Sequence, residues 1–173
     1  MRVADKVWQI VKDAGVDTVF FVPGGGAAFL VDALGRSGLN HVSMLHEQGA
    51  AYAAVAYGMM NGLGVCLTTS GPGATNAITG CAAAWVDSAP VLFISGQARS
   101  DTLIGDSGLR TRGQQEVDII EMVKGITKGA RMLPSGECDP MVQVMIDVCK
   151  MRRPGPCWID IPLDVQAEEV DNV

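Results

Sequence analysis

Short β-branched and aromatic runs alternate with stretches of helical periodicity along the whole chain, and this alternation constrains the fold more than any other feature. Apolar positions Val3, Val7, Ile10, Val11 and Ala14 recur at helical spacing and stop at Gly15. Thr18–Val22 then reads as a buried strand. The pattern repeats with a helix over Ala27–Leu34, a strand over His41–Leu45, a helix over Glu47–Asn61, a strand over Gly64–Thr69, a helix over Ala74–Val86 and a strand over Pro90–Ser95. Beyond an aperiodic stretch at 96–115, a helix over Glu116–Lys124, a strand over Thr127–Met132, a helix over Pro140–Met151 and a strand over Pro156–Ile161 complete the series. Strands apolar on both faces belong in the middle of a sheet covered by helices. The expected fold is a doubly wound, three-layer α/β domain with about six parallel strands. Residues 1–165 are expected to form this domain, and 166–173 an acidic tail or the start of a linker.

Composition narrows the possible partners. The formal net charge of −6 argues against a nucleic-acid footprint, and no apolar run reaches membrane-spanning length. The five cysteines, Cys66, Cys81, Cys138, Cys149 and Cys157, form no C-x-x-C pair, and His41 and His46 are too few to complete a zinc site. Buried thiols in a cytoplasmic protein are the expectation. Glycine takes 21 of 173 positions without a three-residue period, so these residues serve turns and close backbone approaches.

In a doubly wound sheet, ligands bind beyond the carboxyl ends of the strands. Three features fall there: Pro23–Gly26, His46-Glu47-Gln48 and Ser70–Asn76. Neither glycine loop completes the dinucleotide fingerprint, because Asn76 and Phe29 stand where the third glycine belongs. On spacing alone these loops are tight strand-to-helix turns or an anion cradle. Glu47 opens a helix of small residues (Gly49, Ala50, Ala51, Ala53, Ala54, Ala56, Gly58). It either complements the helix dipole or sits where close packing excludes water, and poor solvation favours the neutral form of a carboxyl group. A second small-residue helix holds Ala74, Ala77, Gly80 and Ala82–Ala84. The pair suits close helix packing, inside the domain or across a subunit interface. Gly105-Asp106-Ser107 lacks both the second glycine and the downstream asparagine of a diphosphate–metal motif, so no metal site is expected in this chain.

Taken together, Val22-Pro23-Gly24-Gly25, His46-Glu47-Gln48-Gly49-Ala50 and Thr69-Ser70-Gly71-Pro72-Gly73-Ala74-Thr75-Asn76 resemble the thiamine-diphosphate-dependent enzymes of the acetolactate synthase type. Asp87-Ser88-Ala89-Pro90, Gly96-Gln97, Gln115-Glu116-Val117-Asp118 and Pro154-Gly155-Pro156 with Ile159-Asp160-Ile161-Pro162 extend the likeness over about residues 3–165. The resemblance implies the N-terminal pyrimidine-binding domain of such an enzyme. It implies that Glu47 hydrogen-bonds the aminopyrimidine ring of the cofactor and controls the proton that activates the thiazolium carbon toward a 2-oxo acid. It places Val22, Pro23 and Gly24 beside that ring, Pro72 and Asn76 near it, and Gln115 at the active site. Gly113 and Gln114 precede that glutamine where the family usually carries phenylalanine, and the loop is longer, which leaves the substrate open.

The same resemblance implies thiamine diphosphate as cofactor, with Mg2+ held by a complementary diphosphate-binding domain or subunit that this chain lacks. It leaves dependence on FAD open. The chain alone is expected to be half a site and inactive, and to self-associate. An interaction module that keeps the fold without catalysis is the alternative; a nucleotide-binding domain is disfavoured by the incomplete glycine fingerprints.

Overall fold

Residues 1–170 are described by a computed structural model. Its strands are Thr18–Phe21 (β1), Asn40–Ser43 (β2), Gly64–Thr68 (β3), Val91–Gln97 (β4), Gly129–Met132 (β5) and Cys157–Pro162 (β6). Its helices are Val3–Asp13 (α1), Ala28–Arg36 (α2), Glu47–Asn61 (α3), Pro72–Asn76 (α4), Ile78–Asp87 (α5), Ile119–Val123 (α6), Cys138–Lys150 (α7) and Leu163–Ala167 (α8). All strand pairs are parallel, in the order β2-β1-β3-β4-β6-β5. After β2 the chain crosses back over β1 to lay down β3. The direction in which strands are added therefore reverses between β1 and β3, and their carboxyl ends flank a switch-point crevice. The register Phe20↔Cys66 and Phe21↔Leu67 sets those two ends side by side.

Strand side chains alternate between two unlike faces. Val19, Phe21, Val65, Leu67, Leu92, Ile94, Ile159 and Ile161 pack with Trp8, Leu30, Leu34 and Ile146 of α1, α2 and α7. On the other face, Cys66, Val91, Phe93 and Trp158 meet Ala50, Ala51 and Ala54 of α3 and Cys81 and Ala84 of α5. Phe93 and Trp158 stack there, with ring centroids 5.0 Å apart. The two small-residue helices pack on each other inside the domain: a Cβ at Gly80 would lie 2.4 Å from the Ala51 Cβ. Gly62, in left-handed backbone at φ 90°, ends α3. All five cysteines are buried free thiols.

Two expected helices are corrected, and the structure details β2 and the segment after β6. β2 lies at the sheet edge and all its residues are exposed, so it is not apolar on both faces. The helix expected over Ala74–Val86 breaks at Ala77, which ends α4 and begins α5. The helix expected from Glu116 starts only at Ile119, with the Asp118 carboxylate accepting the Glu121 amide, because the Glu116 side chain is engaged in the preceding loop. The acidic segment after β6 does not leave the domain at once. Leu163–Ala167 is helical with Val165 and Gln166 buried, and Glu169 bridges antiparallel to Arg2. The rest of the expected tail, 171–173, lies outside the described residues.

Candidate active site

Two glycine loops and one helix head converge at the switch point. The loop after β1 lies against the loop after β3, where the Gly26 amide donates to Thr69 Oγ1 at 3.0 Å. A Cβ at Gly24 would lie 2.5 Å from the Thr69 Cβ, so only a bare backbone passes there. Val22, half-buried, donates its amide to the Leu67 carbonyl at 3.2 Å, and Pro23 is exposed beside it.

Glu47 opens α3 directly after His46, whose ring Nδ1 caps the helix by accepting the Gln48 amide at 3.1 Å. The Glu47 side chain is 9% exposed. Its Oε2 accepts a hydrogen bond from Asn76 Nδ2 at 2.9 Å, at the far end of α4. Its Oε1 faces Gly73, where a Cβ would come within 3.1 Å. Asn76, which spoils a dinucleotide fingerprint, is thus a partner that fixes the carboxylate. Pro72 stands exposed in the first turn of α4, where its fixed φ suits a helix start.

The long loop brings Gln115 to the same place. Gln115 is exposed, in left-handed backbone at φ 54°. Its carbonyl approaches Gly71 so closely that a Cβ there would lie 2.0 Å from the oxygen. A cleft of about 380 Å³ opens beside this contact, lined by Gly26, Ser70, Gln97, Arg99, Arg112 and Gln115 among others. Glu47 and Asn76 do not line that cleft; they sit farther along the same loop, at Gly73. The structure therefore gathers all seven candidate residues, Val22, Pro23, Gly24, Glu47, Pro72, Asn76 and Gln115, around the two glycine loops.

Sequence reasoning missed two supporting groups. Glu116 gathers backbone amides of the long loop. Partial burial raises its carboxyl pKa, but the amides of Ile104, Gly113 and Arg112, together with the Arg112 charge, outweigh this and hold it below the usual range. The second group is a buried polar chain beneath the cleft. Trp158 Nε1 donates to Ser95 Oγ at 2.8 Å, Ser95 Oγ to Asp160 Oδ1 at 2.6 Å, and Gln97 Nε2 to Asp160 Oδ2 at 2.8 Å. Burial pushes the Asp160 carboxyl up to about 7 despite these hydrogen bonds. Such contacts join residues 63 to 65 positions apart and leave no local signal.

The fold and these converging loops define a cofactor-binding domain of the thiamine-dependent class. The chain belongs to that family: the model described as "Thiamine pyrophosphate enzyme, N-terminal TPP binding domain" matches residues 1–122. It is similar to acetolactate synthase isozyme 2 large subunit of Escherichia coli K12, with 43% identity over 99% of this chain and 30% of that protein. It is also 38% identical to a probable acetolactate synthase large subunit of Methanocaldococcus jannaschii, over 99% of this chain and 28% of that protein. A Lactococcus lactis acetolactate synthase large subunit is 36% identical over 96% of this chain and 28% of its own length. The chain thus spans less than a third of the curated relatives it matches.

Proposed function

We propose that this chain forms the pyrimidine-binding half of a thiamine-diphosphate site in an acetolactate-synthase-like enzyme that acts on a 2-oxo acid by carboligation or decarboxylation. The observation that carries this reading is the Glu47 carboxyl group, nearly buried, with one oxygen held by Asn76 and the other facing the side-chain-free surface of Gly73. An amine heterocycle fits such a site: the cradle is made of glycine backbone, and the free carboxyl oxygen is a directional proton carrier. When bound, thiamine diphosphate supplies an electron sink for carbanions derived from 2-oxo acids.

The protein's part is orientation and proton control. Glu47 would offer Oε1 to the ring as a hydrogen-bond partner, while Asn76 fixes the carboxyl plane through Oε2. Val22, Pro23 and Gly24 would border the ring, Pro72 starts the helix that presents Asn76, and close loop packing would limit water. Gln115 reaches the substrate side beside the cleft. Mg2+ and the diphosphate would be held by a complementary domain or subunit, and the pyrimidine-binding half would be inactive without it. Self-association is supported by an outward apolar surface on α3 and α5, where Tyr52, Met59, Met60, Trp85 and Val86 are exposed. Among the described residues no helix is long and apolar enough to cross a membrane. The free buried thiols favour a cytoplasmic setting.

The test is Glu47→Gln in the enzyme assembled with its complementary domain. Product formation should fall by about 100-fold or more, the scale of a positioned acid–base group. Turnover at the wild-type rate would remove Glu47 from this role. The isolated chain should show no calorimetric binding of thiamine diphosphate, and submicromolar binding would contradict the half-site reading.

A further inference from the structure

The loop that delivers Gln115 is organised by a single carboxylate. Residues 98–115 contain one 3-10 turn, Ser100–Thr102, and two glycines in left-handed backbone, Gly105 at φ 46° and Gly108 at φ 72°. Glu116 closes this segment on itself. Its Oε1 accepts the Ile104 amide at 2.6 Å, and its Oε2 accepts the amides of Gly113 at 2.8 Å and Arg112 at 3.3 Å. Its own amide donates to the Gly113 carbonyl at 3.3 Å. Charge-assisted hydrogen bonds of this kind are stronger than neutral ones, and three of them converge on one side chain.

The following residue is tied from below. Gln97 Nε2 donates to the Val117 carbonyl at 3.0 Å as well as to Asp160, and Gln97 Oε1 accepts the Ala98 amide at 2.9 Å. Gln115 is the residue just before these two anchors. Left-handed backbone at a non-glycine residue is unfavourable and persists where its surroundings enforce it. No hydrogen bond from the Gln115 side chain does so among the described residues, and its carbonyl is pressed against Gly71.

We propose that Glu116 is a positioning residue: by gathering the amides of Ile104, Arg112 and Gly113 it sets the backbone of Gln115 at the mouth of the cofactor site. The inference rests on the reading above for the role of Gln115, but not for the loop geometry. A loop held mainly by its own packing would make Glu116 dispensable.

Two measurements separate these outcomes. In the 173-residue chain, NMR of Glu116→Ala should show amide exchange at Ile104 and Gly113 faster by about tenfold or more, the scale of one lost charge-assisted hydrogen bond. The Gln115 Cα and Cβ shifts should leave left-handed values, while amides of β4 and α7 keep their protection. Glu116→Gln, which keeps one carbonyl acceptor, should restore part of both signals. Unchanged Gln115 shifts in Glu116→Ala would overturn the proposal. In the assembled enzyme, Glu116→Ala should lower turnover about tenfold in the wild-type background and less than about twofold when Gln115 is already alanine. Equal losses in the two backgrounds would also overturn it. If Gln115→Ala alone leaves turnover intact, the role assigned to Gln115 fails, and the NMR shifts still decide whether Glu116 positions it.

Discussion

The two faces of the sheet are built to different rules. One is covered by α1, α2 and α7 and filled with Trp8, Leu30, Leu34, Ile146 and other large side chains. The other is covered by α3 and α5 with alanine, glycine and cysteine, and it receives the buried polar side chains of the strands, Thr68, Ser95, Gln97 and Asp160. Large side chains hold helices off a sheet and fill the gap with apolar volume. Small ones let backbones approach, which brings the head of α3 and its Glu47 against the Gly73 loop. The first face holds most of the largest fully buried side chains, and the second holds the residues that shape the site.

This contrast is broken most sharply by enlarging the small face. A Cβ at Gly64 would lie 1.9 Å from the Ala54 carbonyl oxygen of α3. Gly64→Ala should therefore cost more than about 3 kcal/mol in urea unfolding, at the upper end for overpacking. A near-neutral result would mean that α3 slides freely on the sheet. Truncation is the matching probe of the large face. Leu30 is fully buried, and Leu30→Ala should cost about 3 kcal/mol, combining lost transfer energy with a cavity. A cost below about 1 kcal/mol would show that this face collapses to fill the gap.

A subtler probe uses the charge of Asp160, which is 1% exposed. Its folded-state pKa of about 7 lies above the ordinary aspartate value, so the folded chain binds this proton more tightly than the unfolded chain. Its contribution to stability is full below pH of about 4 and declines as pH rises toward about 7. Asp160→Asn should cost about 1 kcal/mol at pH 5 and less than that at pH 8. A larger penalty at pH 8 than at pH 5, read from thermal or urea unfolding, would show that the carboxylate is stabilised in its charged form.

The large face was the easier one to read from the sequence. Its strands and helices announce themselves by apolar period, and α1, α2 and α7 occur within about two residues of expectation. The glycine loops and the His46-Glu47 helix start were legible too, because turns and caps are signalled by adjacent residues. Other features depend on distant partners. The resemblance puts Asn76 near the ring, but its spacing alone reads as a broken glycine motif, and its partner, Glu47 at 2.9 Å, is seen only in the fold. Glu116 reads as the start of a helix until its carboxylate is seen holding amides up to twelve residues back. The exposure of β2 follows from strand order, which no local pattern encodes.

Strand order also has a consequence for the time course of chain growth. The last strand, β6, does not lie at an edge but inserts between β4 and β5, pairing Leu92 with Cys157 and Gly129 with Cys157. Until residues 157–162 leave the ribosome, β4 has one side unpaired and β5 has no strand to join. The first four strands can assemble as soon as they emerge, but the floor beneath the cleft, where Asp160 meets Ser95 and Gln97, is completed only once residues 157–162 have followed.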